Sequence, residues 1–152
     1  MDNLSFDNRE GYIWYNGNIL EWKNANVHVL NHGLHYASCV FEGERAYRGK
    51  IFETIKHTER LFNSAKSLDM EIPFSEKEIL EAKDILLEKN SLLDAYVRPV
   101  VWRGSEMMAV SAQATKINVA IAVWEWPSYF DPEQKMQGIK LDIAKWRRPS
   151  PD

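Results

Sequence analysis

The dipeptide Asn16-Gly17 sits between two runs rich in aromatic and branched residues, Tyr12-Ile13-Trp14-Tyr15 and Asn18-Ile19-Leu20-Glu21-Trp22. A two-residue connection of this composition suits a type I′ turn, in which both central residues take positive φ and the backbone twist matches that of paired strands. The spacing therefore predicts a β-hairpin, and any fold for this chain must begin with an antiparallel pair. Residues 1–11 before it read as an irregular N-terminus. A second extended stretch runs over 39–47, turns at Arg48-Gly49-Lys50 and returns through Ile51-Phe52. Within it Glu42, Glu44 and Tyr47 lie among apolar neighbours at partly alternating spacing, the pattern of a half-buried strand.

Two helices are predicted next. The first spans about 58–69, with Leu61, Ala65 and Leu68 forming an i, i+4, i+7 apolar stripe. After Pro73, a second helix opens at Ser75-Glu76-Lys77-Glu78. There Ser75 and Glu78 can satisfy each other's backbone N–H groups in a capping box, and Ile79, Ala82 and Leu86 supply the apolar face. Strands are then predicted over 95–102, 117–126 and 139–144. Hairpins first, helices next and strands last imply an α+β fold, an antiparallel β-sheet with two helices, rather than a wound βαβ sheet. The small α+β domain is predicted over 12–146. Arg147-Arg148-Pro149-Ser150-Pro151-Asp152 reads as the start of an interdomain connector, and connectors join folded units, so a further domain is expected beyond it.

At 152 residues the chain has the length of about one domain, and 45% hydrophobic with 27% charged residues is a folding composition. Nineteen Lys plus Arg against 22 Asp plus Glu leave a formal charge of −3, which argues against nucleic-acid or anionic-membrane partners. A single cysteine excludes an intrachain disulfide and fits a reducing compartment. Apolar runs far too short for a membrane span, and an N-terminus without a basic and apolar leader, point to a cytoplasmic protein.

His28, His32, His35 and Cys39 fall at offsets of 4, 3 and 4, which on one continuous helix would make a metal-ligating face. Val27-His28-Val29 favours strand, however, and Asn31-His32-Gly33 is poor in helix formers, so no metal site is predicted and the histidines are read as local hydrogen-bonding groups. Cys39 reads as a buried, inert thiol. Lys145-Trp146-Arg147-Arg148 reads as a solvated basic stretch. Neither a glycine-rich phosphate loop nor a G-x-S-x-G elbow occurs. Arg45 alternates with Gly43 and Phe41 along one strand, and Arg98 with Tyr96 along another, so each set shares a face. A guanidinium on a strand beside aromatics is either a bidentate carboxylate holder or half of a surface salt bridge. Arg60, early in the first helix, either meets a phosphate or pairs with Glu59 or another neighbour.

Five segments, in order and at matching spacing, resemble the N-terminal part of branched-chain amino-acid aminotransferases. They are Tyr12-Ile13-Trp14-Tyr15-Asn16-Gly17, the run from His35 through Phe41-Glu42-Gly43-Glu44-Arg45 to Tyr47, His57-Thr58-Glu59-Arg60-Leu61, Ala95-Tyr96-Val97-Arg98-Pro99 and Trp146-Arg147-Arg148-Pro149-Ser150-Pro151. The resemblance implies the small N-terminal domain of a fold-type IV enzyme that depends on pyridoxal 5′-phosphate (PLP). It implies transfer of the amino group between leucine, isoleucine or valine and 2-oxoglutarate, in a homodimer or higher homo-oligomer. By the same resemblance Arg60 binds the cofactor phosphate. Tyr36, Phe41, Gly43, Arg45, Tyr96, Arg98, Trp126 and Tyr129 contact substrate, with Arg98 receiving the distal carboxylate of glutamate. Val110 falls where a neighbouring subunit lends a loop residue. The Schiff-base lysine falls past the segment matched by Arg148-Pro149-Ser150-Pro151, so no catalytic lysine is expected among these residues and the chain alone is expected to be inactive. A related fold-type IV enzyme, such as a D-amino-acid aminotransferase or aminodeoxychorismate lyase, and a non-catalytic binding module are the alternatives. The Phe-Glu-Gly-x-Arg and Tyr-x-Arg-Pro patterns favour the branched-chain group.

Overall fold

The computed structural model describes residues 5–126 and 132–150. Asn16 and Gly17 both take positive φ, +47° and +87°, and join β1 (Tyr12–Tyr15) to β2 (Asn18–Glu21) with Tyr15 opposite Asn18. The predicted hairpin is present, with its turn closed by the two residues that tolerate that geometry. A second two-residue turn, Arg48-Gly49 at φ +51° and +78°, connects β4 (Glu44–Tyr47) to β5 (Lys50–Ile51). The remaining strands are β3 (Cys39–Phe41), β6 (Ala95–Arg103) and β7 (Ile117–Trp124). All pairs are antiparallel, in the order β2-β1-β7-β6-β4-β5, with β3 also against β6.

β3 and β4 follow one unshifted register along β6: Phe41 faces Val100 and Glu44 faces Val97. The gap between them lies beside Pro99, which has no N–H to donate, while the Glu42 N–H still reaches the Pro99 carbonyl at 3.0 Å. The predicted single extended stretch is therefore one strand line broken only by a missing donor.

Successive side chains alternate across this sheet. Trp14, Ala46, Ala95, Val97, Val101, Val119, Ile121 and Val123 point to one face and are buried. That face is covered by α2 (Thr54–Ser67) and α3 (Glu76–Lys89), which bury Leu61, Ala65, Ile79, Ala82 and Leu86. The Ser75–Glu78 capping box forms as predicted. The first long helix starts four residues earlier than predicted, at Thr54, after Glu53 turns the chain in the left-handed region. Leu68 falls just past its last turn and is exposed, so the buried stripe is Thr58, Leu61 and Ala65. Two short helices accompany them, α1 (His32–Tyr36) and α4 (Pro132–Gln137).

Three expectations need correction. Residues 139–144 form no strand; among the described residues they join no ladder, and Ile139, Leu141 and Ile143 are exposed. Alternation says which face a strand would bury, not whether an edge is there to receive it. Asn31-His32-Gly33, read as poor in helix formers, begins α1, because the Asn31 side chain accepts the Gly33 N–H at 3.1 Å and caps the turn. His28 and Cys39 stay outside that short helix, so the four-residue face never forms. Cys39 is half-buried rather than buried, and burial pushes its thiol pKa up.

The largest surprise is the orientation of β4. Glu42 and Glu44, expected only to lie among apolar neighbours of a half-buried strand, point into the helix-covered face and are 4% and 1% exposed. Glu44 Oε1 lies 2.7 Å from Lys83 Nζ on α3, held by charge rather than by a well-aligned hydrogen bond. Lys83 donates to Thr58 Oγ1 at 2.7 Å and Thr54 Oγ1 at 3.3 Å, which ties both long helices to the strand. Burial pulls the Lys83 pKa down and the Glu44 carboxylate partly offsets this. Truncating one partner would strand the other charge in the core. Lys83→Met is expected to cost about 3–5 kcal/mol in denaturant unfolding, and adding Glu44→Leu to recover much of that loss.

Candidate functional site

With both carboxylates drawn inward, the odd-numbered residues of the same strand line face the other side of the sheet. Phe41, Gly43 and Arg45 stand opposite Val100, Arg98 and Tyr96 in the β6 register, and Tyr96 stands opposite Trp124 of β7. No long helix covers this face among the described residues, and Tyr96, Arg98, Val100, Ala120 and Ala122 are half-buried.

The side chains on this face are mutually ordered. Arg98 Nη2 donates to Tyr96 Oη at 2.8 Å, and its guanidinium carbon lies 4.1 Å from the Phe41 ring centre. Arg45 Nη2 donates to the Trp126 carbonyl at 3.1 Å, which draws the chain after β7 over the strand ends. The Trp126 and Trp124 rings both lie 4.8 Å from that of Tyr96. Among the described residues neither Arg45 nor Arg98 forms an ion pair. Next to Arg98 opens an apolar groove of about 390 Å³, lined by Ile13, Tyr15, Val100, Trp102, Ala120 and Ala122 from the sheet and by Leu34 of α1. Two guanidinium groups without carboxylate partners among the described residues, framed by aromatics and adjoining an apolar groove, make a surface that can take a carboxylate and an alkyl chain side by side.

Gly43 leaves the room in which this pair is set. A Cβ there would overlap the Tyr96 hydroxyl, the acceptor that orients Arg98.

Arg60 is placed differently. It lies on α2, behind the edge formed by β3, and clamps Glu42: Nε donates to Oε1 at 2.6 Å and Nη2 to Oε2 at 2.5 Å. His57, one turn earlier, meets the same Oε2 through Nδ1 at 2.8 Å. The partner of Arg60 is thus Glu42, distant in sequence, rather than the adjacent Glu59. Burial pushes the Glu42 carboxyl up, but the hydrogen bonds and charges of Arg60 and His57 outweigh it and hold the pKa below the usual glutamate range.

Tyr36 and Val110 form a third group. His32, 2% exposed, stacks on Tyr36 with ring centres 4.5 Å apart. Its Nε2 meets the Ala109 carbonyl at 3.0 Å and its Nδ1 the Ser38 hydroxyl at 2.6 Å. Arg103, buried at the end of β6, donates to the carbonyls of Ala112, Leu68 and Asp69. These bonds hold the 104–116 loop so that Val110 projects at 87% exposure beside Tyr36 around a cavity of about 450 Å³. His28 and His35 engage local backbone at Leu30 and Val29, as their local reading expects. Tyr129 lies outside the described residues, as do the connector positions Pro151 and Asp152.

Sequence reasoning anticipated the Phe41–Gly43–Arg45 and Tyr96–Arg98 faces but missed the Glu42–Arg60–His57 cluster and the His32 and Arg103 anchors. A signal for the first was present. If the odd positions of 41–45 face a site, Glu42 and Glu44 must face the core and require cations there.

The fold and this arrangement define the class of protein. The model of the class IV amino-transferase family matches residues 39–152, three-quarters of the chain, and the chain belongs to that family. Its relatives are more particular: it is 44% identical over 149 residues to the branched-chain-amino-acid aminotransferase of Pseudomonas aeruginosa and 43% over 141 residues to a probable one of Rickettsia typhi. These alignments cover 95% and 93% of this chain but 48% of each relative, so the chain spans about half the length of the curated proteins it matches. The structure of the Escherichia coli branched-chain amino acid aminotransferase superposes with a TM-score of 0.84 at 35% identity, over 95% of this chain and 47% of that one. That of the Thermoproteus uzoniensis enzyme, solved with norvaline, gives 0.75 at 29% identity, over 81% and 43%. A further branched-chain amino acid aminotransferase, complexed with N-(5′-phosphopyridoxyl)-L-glutamate, gives 0.74 at 39% identity, over 78% and 42%. The resemblance and the α+β fold expected from sequence are both borne out.

Two outcomes are expected from this geometry. Gly43→Ala should displace Tyr96 and release Arg98, visible in a crystal structure as loss of the Arg98–Tyr96 hydrogen bond. Because Glu42 titrates low when folded, its contribution is present above about pH 4.3, the usual glutamate value, and fades as pH falls through its depressed one. Acid unfolding curves should therefore flatten in Glu42→Gln.

Proposed function

We propose that this chain forms the substrate-facing wall of a PLP-dependent branched-chain aminotransferase, a cytoplasmic homodimer exchanging an amino group between leucine, isoleucine or valine and 2-oxoglutarate. The observation that carries the reading is the half-buried Arg98, without a carboxylate partner among the described residues, lining an apolar groove. A transaminase of this kind must accept an apolar side chain in one half-reaction and a carboxylate-bearing one in the other. Phe41 and the groove suit the first. Arg98, oriented by the Tyr96 hydroxyl, suits the second through charge-assisted hydrogen bonds to the distal carboxylate. Gly43 keeps the backbone low between them, and Trp126, packed on Tyr96, supplies an aromatic wall, while Tyr36 is a further proposed substrate contact from the cavity it shares with Val110.

The donor set fits the cofactor. Arg60 turns Nε and Nη2 towards Glu42, which leaves Nη1 without a partner among the described residues, on a side chain that is 65% exposed at the sheet edge. A fixed guanidinium edge of this kind suits a phosphate monoester. When bound, PLP supplies an electron sink for the carbon that bears the transferred nitrogen. Arg45 and the loop tip at Val110 complete the proposed substrate contacts, with Val110 offered to a neighbouring subunit. The domain boundaries at about 12–146 and the connector from 147 belong to the same proposal. The Schiff-base lysine is assigned by the resemblance to residues beyond Asp152, and the complete protein is proposed to carry the activity.

The test is Arg98→Met in the complete protein. The kcat/KM for glutamate should fall by about 10- to 100-fold, the value of one or two charge-assisted hydrogen bonds, while that for leucine changes little. Equal losses would reject the role of Arg98. Activity towards D-alanine in place of leucine would favour a different enzyme of the same fold.

A further inference from the structure

Arg60 is a long, exposed side chain on a helix surface, and its guanidinium is tied down at two nitrogens. Glu42, from the neighbouring strand line, accepts two parallel hydrogen bonds from it, at 2.6 and 2.5 Å. The carboxylate is itself held rigidly: its side chain is 4% exposed, its backbone N–H is bonded to the Pro99 carbonyl, and His57 Nδ1 takes a third bond to it. A carboxylate that engages Nε and Nη2 leaves Nη1 of the guanidinium without a partner among the described residues, on a side chain that is 65% exposed. Glu42 is also flanked by Phe41 and Gly43, which point to the opposite face of the sheet. One strand therefore sets the substrate face with its odd residues and holds Arg60 with the even residue between them.

We propose that Glu42 is the positioning residue for cofactor phosphate: it locks the Arg60 guanidinium in the orientation that presents Nη1 to a phosphate monoester. This rests on the reading that Arg60 binds that phosphate. Two effects of Glu42 oppose each other. Its negative charge reduces the net attraction of Arg60 for an anion. Its bidentate grip removes the rotamer freedom that an exposed arginine would otherwise lose on binding. Bidentate geometry on a carboxylate that barely contacts solvent makes the second effect dominant, and His57, when protonated, returns part of the lost charge.

The experiment compares PLP with pyridoxal, which lacks the phosphate, by equilibrium titration of the complete apoprotein followed by cofactor absorbance. The ratio of the two affinities isolates the phosphate. Arg60→Met should collapse the ratio; if it does not, Arg60 is not the phosphate ligand and the underlying reading falls. Given that collapse, Glu42→Gln should lower the ratio by about tenfold, the worth of one charge-assisted hydrogen bond, with pyridoxal affinity unchanged. A ratio that stays at the wild-type value or rises, or equal weakening of both ligands, would overturn the inference while leaving Arg60 in place. Arg60→Lys guards against a Glu42 variant that does not fold. It keeps the charge on an exposed position but cannot make the two-pronged contact, so its ratio should fall as well. A wild-type ratio in that variant would show that charge suffices without orientation, and would reject the role of Glu42.

Discussion

The buried carboxylates of Glu42 and Glu44 govern how this molecule is put together. A strand line that carries two charges into the helix-covered side of a sheet folds only where cations wait for them, and α2 and α3 supply Arg60 and Lys83 at those points, with His57 as a further hydrogen-bond partner of Glu42. An unpaired charge in such a place would cost several kcal/mol, so the helices and the strand are bound to one relative placement. The contact is also the reason that Phe41, Gly43 and Arg45 all face the open side. Orientation of the site follows from neutralisation of the core.

The open face gains its chemical character from what it lacks. Arg45 and Arg98 have hydrogen-bond acceptors and aromatic rings around them but no carboxylate among the described residues. Their charges are oriented by those contacts and carry no ion pair among the described residues, so they can meet an incoming carboxylate. The apolar groove beside Arg98 supplies the other half of an amphoteric pocket. Behind the sheet edge, Arg60 is constrained in the opposite manner, by a bidentate grip that commits two of its nitrogens and leaves a third. At the far end, His32 and Arg103 satisfy backbone carbonyls from inside the fold and so hold the loop that exposes Val110. The same residue types thus serve three purposes, distinguished by what each donates to.

Much of this was legible before any coordinates. Asn16-Gly17 specified its hairpin because few residues accept positive φ twice in succession, and Ser75 with Glu78 specified a helix start because both partners of the cap are local. The shared faces of Phe41, Gly43 and Arg45 and of Tyr96 and Arg98 followed from period-two alternation. The stretch 139–144 misled for an equally physical reason: apolar alternation is a local property, whereas a strand exists only when another edge accepts its hydrogen bonds. Leu68 misled by one position, since a helix that starts at Thr54 ends before reaching it.

Local chemistry in the sequence by itself determined the turns, the helix cap, the alternating faces and the family to which the motifs belong, because each depends on residues a few positions apart. Only the tertiary structure decided that Arg60 is gripped by Glu42 rather than by Glu59, and that Lys83 lies wholly inside against Glu44. Those outcomes join residues 18 to 39 positions apart, Glu42 to Arg60 and Glu44 to Lys83. Whether a charge is buried or solvated depends on which distant partner the packing brings to it, and no local pattern encodes that.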